Sequence, residues 1–310
     1  MGKTRARTKA NTKDSVAKIN RSWLAHHPLP RPDASGDKET RGLVLVVGGA
    51  LELPGAVLLS GIAALRAGAG KLQIATCHDI APQIGTAVPE ALVASLPQSA
   101  QGGIAADAAA DIVRRADGAD SVLVGPGMVG PEDVRAIVVQ LLRDVTDPAI
   151  ILDAAALEPL AQLTALTRAH EGRLILTPHA GEIASMLSLS KEAVSERPQE
   201  IAEHAAHTLG AIVVLKGAVT YVASPSHTTC CYTAGDVGLA TSGSGDTLAG
   251  VIAGLAARGT DPFIAASWGV FLHGAAGNSL ARKIGRIGFL ARELLDEIPR
   301  VMERATERNT

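Results

Sequence analysis

The segment Ala240-Thr241-Ser242-Gly243-Ser244-Gly245-Asp246-Thr247-Leu248-Ala249-Gly250 concentrates the chemistry of this chain. Small residues and glycines run straight into an apolar stretch with helical spacing, so Asp246 falls in a first helical turn. The backbone N–H groups of such a turn lack carbonyl partners and bind anions, and glycine lets a phosphate come close. A lone carboxylate there has two readings. It is a base aimed at a hydroxyl beside a phosphoryl group, or it complements the positive end of the helix dipole.

Four other segments hold candidate groups. Val214-Leu215-Lys216-Gly217-Ala218-Val219-Thr220 ends a strand and turns into the next. Lys216 can meet a nucleotide phosphate and Thr220 a ligand edge, or Lys216 is a solvated hairpin lysine. In Thr177-Pro178-His179-Ala180-Gly181-Glu182, His179 can bond a ligand and Glu182 can cap the helix or reach a metal-bound water; plain turn chemistry accounts for the same residues. Gly125-Pro126-Gly127-Met128-Val129-Gly130 fits G-x-G-x-x-G, with Asp147 and Asp153 near the distance of a ribose-binding acid. Pro126 removes an N–H and Pro131 opens the helix, which favours a rigid turn that a ligand can approach over a dinucleotide fingerprint. Gly55-Ala56 opens a helix with room for close ligand approach. No G-x-x-x-x-G-K-[ST] occurs, which excludes a P-loop enzyme. His273, in an apolar helix beside Gly274, Ala275 and Ala276, reads as a packing residue.

The elements that must hold these groups alternate. Strands are expected at 43–47, 72–76, 121–124, 150–152, 174–176, 212–215, 221–223 and 228–232. Helices are expected at 56–67, 106–115, 131–142, 182–187, 199–209, 247–257, 262–283 and 291–303. The early strands are continuous apolar runs, the pattern of a parallel sheet covered on both faces. The late pair around Ser224-Pro225-Ser226 reads as an antiparallel hairpin on the sheet edge. These features predict one three-layer α/β/α domain over residues 21–310, with ligands at the carboxyl ends of the strands. Gly48-Gly49, Gly125-Pro126-Gly127, Asp153, Thr177-Pro178-His179 and Lys216-Gly217 all fall on that rim.

Composition narrows the partners. Among 310 residues aromatics are 2% and net charge is −2, which argues against nucleic-acid binding. The three cysteines (Cys77, Cys230 and Cys231) form neither a disulfide framework nor a zinc spacing, and cytoplasmic residence is the simplest account. The apolar run from Leu43 to Leu65 is broken by glycines, Glu52 and Pro54, so no membrane span is expected. Residues 1–20 are basic, with Lys3, Arg5, Arg7, Lys9, Lys13 and Lys18 against Asp14. A nucleic-acid arm and a targeting peptide are alternatives there to the expected solvated, disordered tail.

Taken together, GLVLVVGGALELPGAVLLSGIAALRAGAGKLQIAT, SVLVGPGM, ILDAAAL, LILTPHAGE, VVLKGAVTYVA, DVGLATSGSGDTLAGVIAGLAARG and LHGAAGNSLA make the chain resemble the ADP-dependent NAD(P)H-hydrate dehydratases of the ribokinase-like superfamily. The stretches run in that family's order from about residue 42 to 300. No second, epimerising domain fits, so the resemblance is to the stand-alone dehydratase. It implies repair of NADHX and NADPHX: ADP phosphorylates the C6 hydroxyl of the S hydrate, phosphate leaves, and AMP and phosphate are the products. It implies that Asp246 takes the hydroxyl proton, and that Gly243, Ser244 and Gly245 offer N–H groups to the transferring phosphate. Lys216, Gly217, Ala218, Val219, Thr220 and Gly245 match adenylate-contacting positions, and Ala56, Gly127, His179 and Asp246 match positions contacting the hydrated dinucleotide. Mg²⁺ with unassigned ligands and a homotetramer are further implications.

The resemblance has departures. An acid of the family's L-D-A-D run is missing, taken to be at Ala154, and Asn278 ends H-G-x-A-G-D. Ser244 replaces a commoner Thr and keeps the hydroxyl. A thiazole or pyrimidine alcohol kinase of the same superfamily, or a non-catalytic nucleotide sensor, are the competing functions.

Overall fold

The apolar runs fold into strands β1 (Ala17–Lys18), β2 (Leu43–Val47), β3 (Lys71–Cys77), β4 (Ala91–Leu96), β5 (Ser121–Val124), β6 (Ala149–Leu152), β7 (Leu174–Leu176), β8 (Ile212–Leu215), β9 (Thr220–Ala223) and β10 (Cys230–Tyr232). In the computed structural model, which describes residues 16–31 and 37–307, these strands form one sheet in the order β1-β10-β9-β8-β7-β6-β5-β2-β3-β4. Neighbours from β4 across to β8 pair parallel, β9 and β10 run antiparallel to their predecessors, and β1 lies parallel to β10. Helices fill the connections: α1 (Arg21–His26), α2 (Pro54–Arg66), α3 (Ala81–Ala87), α4 (Ala109–Ala116), α5 (Pro131–Asp144), α6 (Thr164–Arg168), α7 (Ala180–Met186), α8 (Lys191–Glu196), α9 (Pro198–Leu209), α10 (Ser244–Ala257), α11 (Pro262–Lys283) and α12 (Ala291–Thr306).

Helices α2, α10, α11 and α12 pack together as one group, and α4, α5, α6 and α9 form another. Between them every residue of β5, β7 and β8 is buried, as a sheet covered on both faces requires. The α2–α10 contact is unusually close. A Cβ added at Gly250 would lie 2.2 Å from Ser60 O, and one at Gly254 would lie 2.3 Å from Ala64 O. Only glycine lets the two backbones meet there.

The sheet order places the ligand crevice. From β2 the chain moves one way through β3 and β4, then returns to β5 on β2's other side and continues through β8. The loops after β2 and β5 therefore splay apart at a topological switch point. Gly49 N–H donates to Pro126 O across it at 2.8 Å.

Several elements were not expected. β4 (ALVASL) mixes Ala, Leu, Val and Ser and has alternating burial, because it is an edge strand. α1, α3 and α8 are short helices without a long apolar face. Residues 1–15 of the basic segment lie outside the described residues, but its end is ordered: Ala17 and Lys18 pair with Cys230 and Cys231. β1 thereby extends the sheet one strand beyond the expected edge hairpin. From there the chain straps across α11. Leu24 and Leu29 are buried, Trp268 Nε1 donates to His27 O at 2.7 Å, and Arg258 donates to Pro30 O at 3.0 Å.

Candidate functional site

Gly243, at φ 85°, turns the chain into α10. That left-handed conformation suits glycine, and it aims the first turn of the helix at the open rim. Ser244 N–H is occupied by Thr241 O at 3.2 Å, which corrects the expectation that it is free for an anion. The N–H groups of Gly245 and Asp246 have no acceptor among the described residues. Ser244 keeps its hydroxyl, 2.9 Å from His273 Nε2 on α11. His273 is thus more than the packing residue its sequence context suggested. Burial, with the Lys216 ammonium adding to it, pushes its protonation down to about 4, so the ring is neutral.

Asp246 follows on the same turn, half-buried. Ser60 Oγ of α2 lies 3.1 Å from its carbonyl oxygen and 3.0 Å from Ala56 O, tying the two helices at this point. Burial raises the Asp246 carboxyl to about 6; the negative charges of Asp153 and Glu182 push the same way and Lys216 opposes them. Asp153, at the end of β6, accepts on one oxygen from Thr177 Oγ1 at 2.6 Å and Lys216 Nζ at 3.0 Å. The two side chains of this ion pair are 20% and 3% exposed for Lys216 and Asp153. Burial alone would lower the lysine, but Asp153, Glu182 and Asp246 outweigh it and hold it charged above its ordinary range. Lys216 is therefore not a solvated hairpin residue.

His179 caps α7. Its Nδ1 accepts from Gly181 and Glu182 N–H at 2.9 and 3.2 Å, while Glu182 Oε2 accepts from His179 N–H at 2.7 Å. With Nδ1 accepting, the neutral ring carries its proton on Nε2. The turn reading is thus observed, and the same residue also lines a cleft.

That cleft, about 720 Å³, is lined by Lys216, Gly217, Ala218, Thr220, Ser244, Gly245, His179 and His273. Val219, Gly243 and Asp246 do not line it. Ala56 and Gly127 lie elsewhere but together: a Cβ on Gly127 would sit 2.9 Å from Ala56 Cβ, at the switch point. Asp246 sits at the seam between these two places, one residue past Gly245 and bonded through Ser60 to the turn that begins at Ala56.

Other lining groups were missed. Asp236, Val237, Leu239 and Arg286 also line the cleft, with Arg286 Nε 3.2 Å from Asp236 Oδ2. Asp236 also caps the turn Val237–Leu239 by accepting from Gly238 N–H at 3.0 Å. The Asp-x-Gly spacing was a legible signal for that cap; nothing local marks Arg286. Among the described residues no group of three or more His, Cys, Asp or Glu is placed to hold a metal. The residues present do not fit a metal cage, and Asp153 is already engaged by Lys216.

Comparison with known proteins bears on this arrangement. Residues 44–300 match the family model described as NAD(P)H-hydrate dehydratase. The chain belongs to the NAD(P)H-hydrate dehydratase family. It is 45% identical over 295 residues, 93% of this chain and 97% of the other, to the ADP-dependent (S)-NAD(P)H-hydrate dehydratase of Xanthomonas campestris pv. campestris. A crystal structure of the ADP/ATP-dependent NAD(P)H-hydrate dehydratase from Bacillus subtilis, co-crystallised with ATP/Mg²⁺, superposes with TM-score 0.77 at 30% identity, covering 94% of this chain and 99% of that one. A ribokinase-like superfamily protein from Enterococcus faecalis shares the fold at TM-score 0.80 and 24% identity, over 96% and 99% of the two chains. The expected single ribokinase-like α/β domain is thus borne out.

The departures from the family pattern can now be placed. Counting from Leu152, the missing acid of L-D-A-D falls on Ala155, which packs against the core, and not on Ala154. Ala154 instead carries φ 49°, a kink directly after Asp153. Asn278 Nδ2 donates to Ala234 O at 2.5 Å, tying α11 to the loop before Asp236. No helix among the described residues is long and apolar enough to cross a membrane.

Proposed function

We propose that this chain dehydrates S-NADHX and S-NADPHX to NADH and NADPH at the expense of ADP. The supporting observation is the position of Asp246, a carboxylate poised near neutrality at the seam between the Lys216–Gly245 cleft and the Ala56–Gly127 crevice. The nucleotide enters the cleft, its adenylate along Lys216 to Thr220 and its terminal phosphate at the free N–H groups of Gly245 and Asp246. The dinucleotide lies along Ala56, Gly127 and His179, with its C6 hydroxyl at Asp246. Asp246 takes the hydroxyl proton as the oxygen bonds to phosphorus and the bond to AMP breaks. Hydroxide is a poor leaving group and phosphate a good one. The ring nitrogen then expels phosphate from C6, the neighbouring carbon gives up a proton, and the double bond returns. Lys216 and the first turn of α10 face the charge that accumulates on the transferring oxygens.

Mg²⁺ would accompany the nucleotide phosphates and offset their charge. A cytoplasmic homotetramer completes the reading, and light scattering of the purified chain checks the assembly. The activity test follows the reduced nicotinamide absorbance after adding ADP and Mg²⁺ to S-NADHX, with ATP in parallel. Absorbance rises for the wild type. Asp246→Asn loses at least about 100-fold in turnover while still binding nucleotide. A stable phosphorylated alcohol with no rise in absorbance selects the kinase reading instead.

A further inference from the structure

We propose that His273 fixes the hydrogen-bond direction of Ser244, donating its Nε2–H to Ser244 Oγ so that the serine proton points at the transferring phosphate. The inference rests on the dehydratase reading above and concerns a residue whose local sequence suggested packing alone.

Ser244 has two donors. Its backbone N–H is held by Thr241 O, so the hydroxyl is all it can offer an anion. That hydroxyl has one proton, and its direction depends on its partner, His273 Nε2 at 2.9 Å. If Nε2 carries only a lone pair, Ser244 must donate to the ring and turns its own lone pairs toward the cleft, where they repel phosphate oxygens. If Nε2 carries the proton, the ring donates and the hydroxyl is released to bond the phosphate. The ring is neutral, so only one nitrogen is protonated. Nδ1 has no hydrogen-bond partner among the described residues, and the backbone group that acts on the ring is that of Ser244 itself. An anion at the cleft therefore selects the Nε2–H form. Both residues line the same wall, on helices that pack against each other. His273 is a positioning residue in this arrangement, acting through Ser244.

The experiment measures kcat and KM for ADP in His273→Leu, Ser244→Ala, the double variant and His273→Gln, with thermal melts of each. Loss of one preorganised donor lowers turnover by about 10² or more. We expect that loss in kcat for His273→Leu and Ser244→Ala, with KM for ADP nearly unchanged. The double variant loses no more than Ser244→Ala alone, since His273 acts only through that hydroxyl. His273→Gln, whose amide nitrogen reaches the Nε2 position, recovers most of the turnover. A purely structural role would instead lower the melting temperature and give additive losses. Additive losses, wild-type turnover in His273→Leu, or a Gln variant no better than Leu at equal melting temperature overturns the proposal. Nitrogen-15 shifts of histidine-labelled wild type with ADP give a second readout that needs no variant. Protonated Nε2 supports the proposal and protonated Nδ1 overturns it. The wild type's own conversion of S-NADHX reports separately on the dehydratase reading.

Discussion

Asp246 shares its surroundings with Asp153, Glu182 and Lys216, and their balance sets the pH at which it works. A base must be ionised to accept a proton, so turnover falls as pH drops through about 6. Asp153→Asn removes a neighbouring negative charge and frees Lys216 to face Asp246. Both changes favour the ionised form, so the acidic limb of kcat/KM moves to lower pH. A limb that stays in place would mean another group controls it. Asp246 and Lys216 were legible in the sequence because each sits in a short motif with its own turn. The pairing that governs them was not. Thr177 and Lys216 lie 24 and 63 positions from Asp153 and reach it only because β6, β7 and β8 are adjacent in the sheet.

At the scale of elements, α10 carries the proposed base and α2 holds it in place. Gly250 lets the helices approach until Ser60 bonds Asp246 O. Gly250→Ala sets a methyl against a backbone carbonyl, which cannot swing aside as a side chain would. Overpacking of this kind costs about 1–3 kcal/mol. Chemical denaturation should show that loss, together with lower kcat. Gly85→Ala, whose new methyl would meet Val93 at no closer than 3.8 Å, should be neutral or mildly stabilising. The main helices and the central strands were readable because their burial on one side or on both leaves a regular apolar pattern. β4 was not readable, since in an edge strand of Ala, Leu and Ser only Val93 favours a strand strongly. β1 was hidden for a different reason: two residues acquire strand geometry only from the free edge of β10.

At the scale of the molecule, residues 17–31 are fastened to elements from the second half of the chain. The strap from β1 through Arg31 covers α11, and Trp268 meets the His27 carbonyl beneath it. Trp268→Phe keeps an aromatic ring but leaves that carbonyl unpaired, an expected loss of about 1–3 kcal/mol in the same denaturation measurement. No loss would mean that water replaces the bond. The seam at Asp246 has a kinetic consequence. In the proposed reading the nucleotide takes the cleft and the damaged coenzyme the crevice, so neither needs to wait for the other's product to depart. Initial-rate plots against both concentrations should converge, and AMP should compete with ADP while leaving access for the damaged coenzyme open. Parallel lines would mean that the protein itself carries the phosphoryl group between two half-reactions.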